Sequence, residues 1–218
     1  MGQRATNSYR MARAVTRVLM NSKDIEAVHE FAEISGVTPF GRFLRRNVAD
    51  PETCDLLRLR PELCEPQIDL LTLSELPQDT LGGVYGRHML RHELMDQTAP
   101  MREFDNADVG YVMRRYRQTH DVWHCLLALG VEGHDEVLLA AFCWGQLRLP
   151  VAGVIASLGS IKHLVFEARW QAIRHSLFQS YSMGHSCRPL LPAHWETMWN
   201  DPIDVVRQRY GVSPVAQY

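Results

Sequence analysis

The chain has 218 residues, of which 46% are hydrophobic and 22% charged, a composition typical of a folded globular protein and not of a disordered one. A net charge of −2 and a pI near 6.5 exclude the basic field of a general nucleic-acid-binding protein. No apolar run reaches the ~18 residues of a membrane span, and five scattered cysteines without C-x-x-C spacing exclude a disulfide framework and favour a reducing compartment.

Helical periodicity dominates the chain, and strand-like alternation is nearly absent. We expect helices over about 7–20, from about 24 to an end near Gly36, and over 38–50. The Asp50-Pro51, Arg60-Pro61 and Glu65-Pro66 pairs then predict short half-helices and turns up to residue 75.

The remainder, from residue 76, has stronger helix signals. The pattern predicts a turn at 77–83, a helix at 85–95 and a long helix from caps at 105–108 to about 129. It then predicts a helix capped by Asp135, a long apolar helix over about 151–181, and a last helix over 195–210 that stops at Gly211. The fold class expected is therefore all-α, a multi-helix bundle forming one domain over residues 1–218, with the segment 1–75 less clearly defined.

The long helix carries a candidate metal motif. His120 and His124 lie four residues apart, so their imidazoles occupy one face, and Asp121 borders the same patch. Glu136 follows twelve residues later, beyond the Gly130/Gly133 turn, where a helical hairpin would return it to that face. Two nitrogen and two oxygen ligands suit zinc, and less selectively iron, manganese or magnesium. Buried histidines are often only hydrogen-bonded, but unpaired polar groups on an apolar face would be costly.

The spacing H-D-x-x-H, eleven residues, then E resembles the signature of the ubiquinone (coenzyme Q) biosynthesis Coq-four family. The resemblance extends over about 76–214, although Gly83-Val84 departs from a charged pair expected after Gly82. Four flanking segments contribute to it: Leu76-Pro77 with Thr80-Leu81-Gly82, Arg115-Tyr116-Arg117, Trp195-Glu196, and Arg209-Tyr210-Gly211-Val212.

The resemblance implies an all-helical protein that binds a divalent metal, usually zinc, through His120, Asp121, His124 and Glu136. It implies removal of the C1 carboxyl group from a polyprenylated 4-hydroxybenzoate, with or without hydroxylation of that carbon. It further implies binding of the prenyl lipid, peripheral association with a membrane surface, and partnership with other ubiquinone-biosynthesis proteins. The corresponding location is the bacterial cytoplasm at the inner membrane, or the matrix side of the mitochondrial inner membrane.

Small and apolar residues over 138–142 and 151–158 form a surface that is either an ordinary helix–helix core or a groove for a lipid tail. Gly153 and Gly159 could open a channel there, and Arg148, Lys162 and His163 could face a lipid headgroup. Long apolar helices also make a homodimer plausible. Four arginines and no acid within 1–23 resemble a transit peptide, although an amphipathic helix also explains that segment.

Two other functions stay open. A non-catalytic scaffold could bind prenyl lipid around a structural metal, because four saturating protein ligands leave no position for a substrate. An HD-type metal-dependent phosphohydrolase would use the His120-Asp121 doublet with His88 or His92 upstream and Asp135 downstream, but it gives no role to His124 or Glu136.

Overall fold

The computed structural model describes residues 9–14, 16–17, 25–64, 67–94, 102–166 and 170–215, and for residues 25, 160–166 and 170–172 it describes the backbone only. Within these ranges the chain is a multi-helix bundle without strands, which confirms the expected all-α class. Within the described residues, one isolated antiparallel β-bridge joins Thr80 and Pro202. No helix in the described part of the chain is long and apolar enough to cross a membrane.

After the helical residues 9–14 and 16–17, the described part of the chain contains nine α-helices, which are numbered in chain order. They are α1 (Ile25–Arg46), α2 (Pro51–Leu59), α3 (Leu70–Glu75), α4 (Leu81–Arg91), α5 (Ala107–Leu127), α6 (Gly133–Leu147), α7 (Pro150–Phe166), α8 (Trp170–Ser186) and α9 (Ile203–Tyr210). A 3₁₀ turn at Trp195–Thr197 precedes α9. Helix α5 occupies the centre: fifteen of its 21 residues are buried, and it packs against α1, α4 and α6.

The predicted helix end near Gly36 is wrong, because α1 continues through Pro39 to Arg46. A proline inside a helix removes one backbone hydrogen bond, so packing must compensate. Phe40 and Phe43 are both buried in the core, and Gly36 lies against Met113 of α5. Burial of this apolar face outweighs the local preference of glycine and proline to end a helix.

The prediction of one long apolar helix over 151–181 is also wrong, because the chain forms two helices there, α7 and α8. Gly153 lies against Trp144 near the end of α6, and Tyr181 contacts Arg148 just beyond that end. In one straight helix, residues 153 and 181 would stand ~42 Å apart. Both can approach the end of α6 only if the chain turns between them.

The crossing of α6 and α8 is unusually close. A Cβ atom on Gly145 would collide with the Tyr181 carbonyl, and a Cβ on Gly184 would collide with the Phe142 carbonyl. Glycine at both positions therefore lets the two backbones touch. This crossing anchors α6, the helix that carries Glu136.

Local capping explains where the site helices begin. Thr80 Oγ1 accepts a hydrogen bond from Gly83 N at 3.1 Å, so α4 begins earlier than predicted. Asn106 caps α5 within the predicted region. Asp135 is not the cap of α6: Glu132 occupies the N-cap, and Asp135 Oδ2 accepts from the Glu132 backbone N–H at 3.2 Å.

The predicted helix over 195–210 is shorter than expected. Pro202 interrupts it, leaving the 3₁₀ turn and then α9, which ends at Gly211 as predicted, with φ of 71°.

Candidate metal centre

Three of the four predicted ligands converge. The candidate ligand atoms of His120, His124 and Glu136 all lie within 4.8 Å of one another. His124 Nε2 stands 3.2 Å from Glu136 Oε1, and the two imidazole centroids are 4.9 Å apart. The five-residue link from α5 to α6 thus brings the first turn of α6 beside the last turns of α5.

His124 provides the test of whether a cation fits. Its side chain is fully buried, and neither ring nitrogen has a hydrogen-bond partner among the described residues. A buried imidazole without partners costs free energy, and a cation bound at one nitrogen would remove part of that cost. The side chains of His120 and Glu136 are 29% and 44% exposed, so the cluster is open to solvent on one side. The residues fit a divalent cation.

Asp121 lies outside the converging group. Its side chain is buried and its Oδ1 stands 3.7 Å from Nδ1 of His120. Carboxylates behind metal-binding histidines commonly occupy this position, where they orient the ring. Burial raises the pKa of Asp121, but His120, His124 and His88 outweigh it and lower the pKa overall. Direct ligation by Asp121 stays a prediction.

The charges of the cluster support one another. Burial lowers the pKa of His120, but the neighbouring carboxylate of Asp121 and the charge of Glu136 outweigh burial and raise the pKa above its usual value. Burial raises the pKa of Glu136, whereas the contact of its Oε1 with Nε2 of His124 at 3.2 Å and the charge of His120 lower the pKa overall. Two carboxylates thus flank two imidazoles, a negative environment that attracts a cation.

The model of the family described as "Coenzyme Q (ubiquinone) biosynthesis protein Coq4" matches residues 4–216. The chain belongs to this family. Its family membership places it in ubiquinone biosynthesis.

Curated relatives agree with this assignment. The mitochondrial ubiquinone biosynthesis protein COQ4 homologue of Mus musculus is 30% identical over 175 residues, covering 79% of this chain and 65% of the relative. The Rattus norvegicus homologue is 29% identical, covering 79% and 66%, and the Coprinopsis cinerea protein is 27% identical, covering 76% and 57%. The chain spans about three fifths of the length of the first curated relatives it matches.

A solved structure shows the same fold. The crystal structure of a candidate ubiquinone biosynthesis protein from Nostoc punctiforme PCC 73102 superposes with a TM-score of 0.75 at 22% identity, covering 94% of this chain and 98% of that one. At this identity the likeness concerns architecture alone.

Two further histidines of this Coq4 family chain lie near the cluster. The His88 ring of α4 is 6.0 Å from that of His124, and its buried Nε2 has no hydrogen-bond partner among the described residues. His29 of α1 accepts a hydrogen bond at Nδ1 from Arg117 at 2.7 Å. Burial is the largest cause that lowers the pKa of each histidine to about 4. His124 lowers the pKa of His88 further, and Arg117 and His120 lower that of His29. The sequence pattern indicated His88 only as a phosphohydrolase ligand, and it did not indicate His29, which has no motif around it.

The phosphohydrolase arrangement gains no support. Asp135, its downstream ligand, uses its carboxylate at the start of α6 and lies 3.6 Å from His134 Nε2. It is absent from the group of converging ligand atoms found among the described residues.

The predicted lipid channel is not formed at the two glycines named for it. Trp144 fills the space beside Gly153, and Val137 fills that beside Gly159. Arg148 donates to the Tyr181 hydroxyl at 2.9 Å and lies over the Trp144 ring, so it stabilises the bundle. The side chains of residues 162 and 163 lie outside the described ones.

Proposed function

We propose that this Coq4 family protein is a metal-dependent decarboxylase that removes the C1 carboxyl group from a polyprenylated 4-hydroxybenzoate. One observation carries the proposal: His120, His124 and Glu136 place three ligand atoms within 4.8 Å on a cluster open to solvent. Catalytic zinc sites have the same design, three protein ligands and one position for water or substrate.

Zinc is the metal that this donor set favours. Two imidazole nitrogens and one carboxylate oxygen, held by adjacent helices, match His₂Glu zinc sites, whereas magnesium prefers oxygen ligands alone. Iron and manganese accept the same ligands less selectively. When bound, the cation would stabilise the negative charge on a carboxylate or phenolate oxygen of the substrate.

The reaction balances without an oxidant. A proton adds to C1 of the ring, the bond from C1 to the carboxyl carbon breaks, its electron pair restores the aromatic ring, and carbon dioxide leaves. Hydroxylation of C1 in the same step would require dioxygen and electrons that zinc cannot supply. The simple decarboxylation is therefore the form that the residues support best.

A scaffold with a structural metal is the second candidate. Asp121 is buried immediately behind His120, and a rotation of its side chain toward the cluster would add a fourth protein ligand. A saturated ion would then leave no position for the carboxylate. In that case the protein would bind the prenyl lipid and organise other ubiquinone-biosynthesis proteins at a membrane surface, as a homodimer in the simplest assembly.

Metal content and turnover separate the two candidates. Elemental mass spectrometry is applied to the wild type, His124→Ala and Glu136→Ala, with the exposed His175→Ala as a matched control. Carbon dioxide release is then measured with a prenylated 4-hydroxybenzoate. Near-stoichiometric metal and turnover, both lost in the two ligand variants and kept in the control, support the decarboxylase. Metal without turnover in the wild type favours the scaffold, and metal retained in both ligand variants contradicts the site.

A further inference from the structure

A chain of polar contacts joins α1 to α5 beside the metal cluster. Glu33 Oε1 lies 3.2 Å from Arg117 Nη1, and Arg117 Nη2 donates to His29 Nδ1 at 2.7 Å. The side chains of Glu33 and Arg117 are about nine-tenths buried, with 11% and 9% exposed. Buried ion pairs of this kind hold their members in one geometry, so the His29 ring is fixed in orientation.

The contact with Arg117 also determines which nitrogen of His29 carries the proton. A guanidinium has donors only and keeps its charge at any pH at which the protein is folded. Nδ1 of His29 must therefore present its lone pair, and the ring proton lies on Nε2, the nitrogen on the far side of the ring. His29 is thus a neutral donor with a fixed tautomer.

The position of this donor matters because Arg117 precedes His120 by three residues on α5, so the two lie on neighbouring turns of one face. Because His29 contacts Arg117 at 2.7 Å, its ring lies beside the stretch of α5 that leads into His120. Unlike the fully buried His124, His29 and His120 are both partly exposed to solvent. Glu33 offsets the charge of Arg117, so the feature offered to a ligand is an oriented N–H group.

We propose that His29 is a substrate-positioning residue whose Nε2–H group donates a hydrogen bond to the carboxylate of an aromatic acid bound at the metal cluster. Glu33 and Arg117 hold the ring in place. The inference rests on the proposed function for the identity of the acid. A fixed neutral donor suits one anionic oxygen, because it needs no reorganisation when the ligand arrives.

Binding of a substrate and of its analogue without the carboxylate tests the assignment. The probes are 3-prenyl-4-hydroxybenzoate and 2-prenylphenol, titrated calorimetrically into the zinc-loaded full chain. For His29→Leu we expect affinity for the acid to fall about tenfold, the value of one hydrogen bond to a charged group, with little change for the phenol. His29→Gln retains an N–H near the position of Nε2 and should recover most of the loss.

Controls separate this role from a structural one. Zinc affinity of His29→Leu should stay close to that of His175→Leu, an exposed histidine on α8, whereas the thermal midpoint of His29→Leu should fall because the buried Arg117 loses an acceptor. Equal losses for acid and phenol, or no loss for the acid, would overturn the assignment of His29 while leaving the metal site intact. A wild type that takes up no zinc contradicts the proposed function instead, and the same comparison on metal-free protein then decides the role of His29.

Discussion

Replacement of His124 by leucine should stabilise the metal-free protein, because the wild-type ring is buried without hydrogen-bond partners. Nδ1 of His124 has no partner among the described residues, and such a buried polar atom costs about 1–3 kcal/mol. Leucine has a similar volume, so imperfect repacking costs less than about 1.5 kcal/mol. The ion contact with the half-exposed Glu136 offsets little of the difference. The free energy of unfolding should rise by about 1 kcal/mol, or about 2–4 °C in Tm.

Zinc should reverse the order of stability. At a free zinc concentration of about 100 times the Kd, wild-type protein gains about 2.7 kcal/mol of unfolding free energy, whereas the leucine variant gains none. Differential scanning calorimetry with EDTA and then with zinc measures both quantities, and His175→Leu on the exposed face of α8 should change neither by more than about 0.5 kcal/mol. A His124→Leu protein that is less stable than the wild type without metal would refute the reasoning, because the ring would then have partners that stabilise it.

Three further predictions concern Asp121, the crossing of α6 with α8, and the dependence of stability on pH. Asp121→Asn should weaken zinc binding by about 10–100-fold without abolishing it, as expected of a carboxylate that orients a ligand; complete loss in a competitive chelator titration would make Asp121 a ligand. Gly184→Ala should lower the free energy of unfolding by about 3 kcal/mol in urea, because its Cβ meets the backbone of α6, whereas Gly133→Ala, with open space around its Cβ, should gain up to about 1 kcal/mol. Burial is the largest cause that lowers the pKa of His29 and His88 to about 4, so the unfolded chain takes up protons first as pH falls. Stability in EDTA should therefore drop between pH 6.5 and 4, and the double variant to glutamine should flatten that slope, while an unchanged slope would contradict these pKa shifts.

The elements predicted best were those whose signals are local. The pattern of α5 combined a capping region at 105–108 with a continuous helical repeat, and the structure has Asn106 as the cap. The stop at Gly211 depends on one residue that adopts positive φ readily. The predicted convergence of His120, His124 and Glu136 depended on helical spacing and one short link, and the structure brings these three together.

The predictions that failed involved contacts between distant segments. Gly36 and Pro39 indicate a helix end, yet Phe40 and Phe43 bury against the core and α1 continues. The apolar run at 151–181 has no strong internal stop, but contacts of both its ends with the end of α6 require a turn. Local helix propensity is worth a few tenths to one kcal/mol for most residues and about 3 kcal/mol for proline, whereas burial of each large apolar side chain contributes about 1.5–3 kcal/mol and overrides it.

The sequence by itself determined the all-helical class, the family and the two histidines on one face of α5, because each depends on residues close together in the chain. Only the tertiary structure decided that Asp121 stands apart from the converging ligand atoms, and that His29, 91 positions before His120 in the chain, has its ring oriented by Arg117 beside the cluster. Those placements depend on how α1, α4 and α6 pack around α5. No local pattern encodes them, since packing sums many weak contacts between residues far apart in the chain.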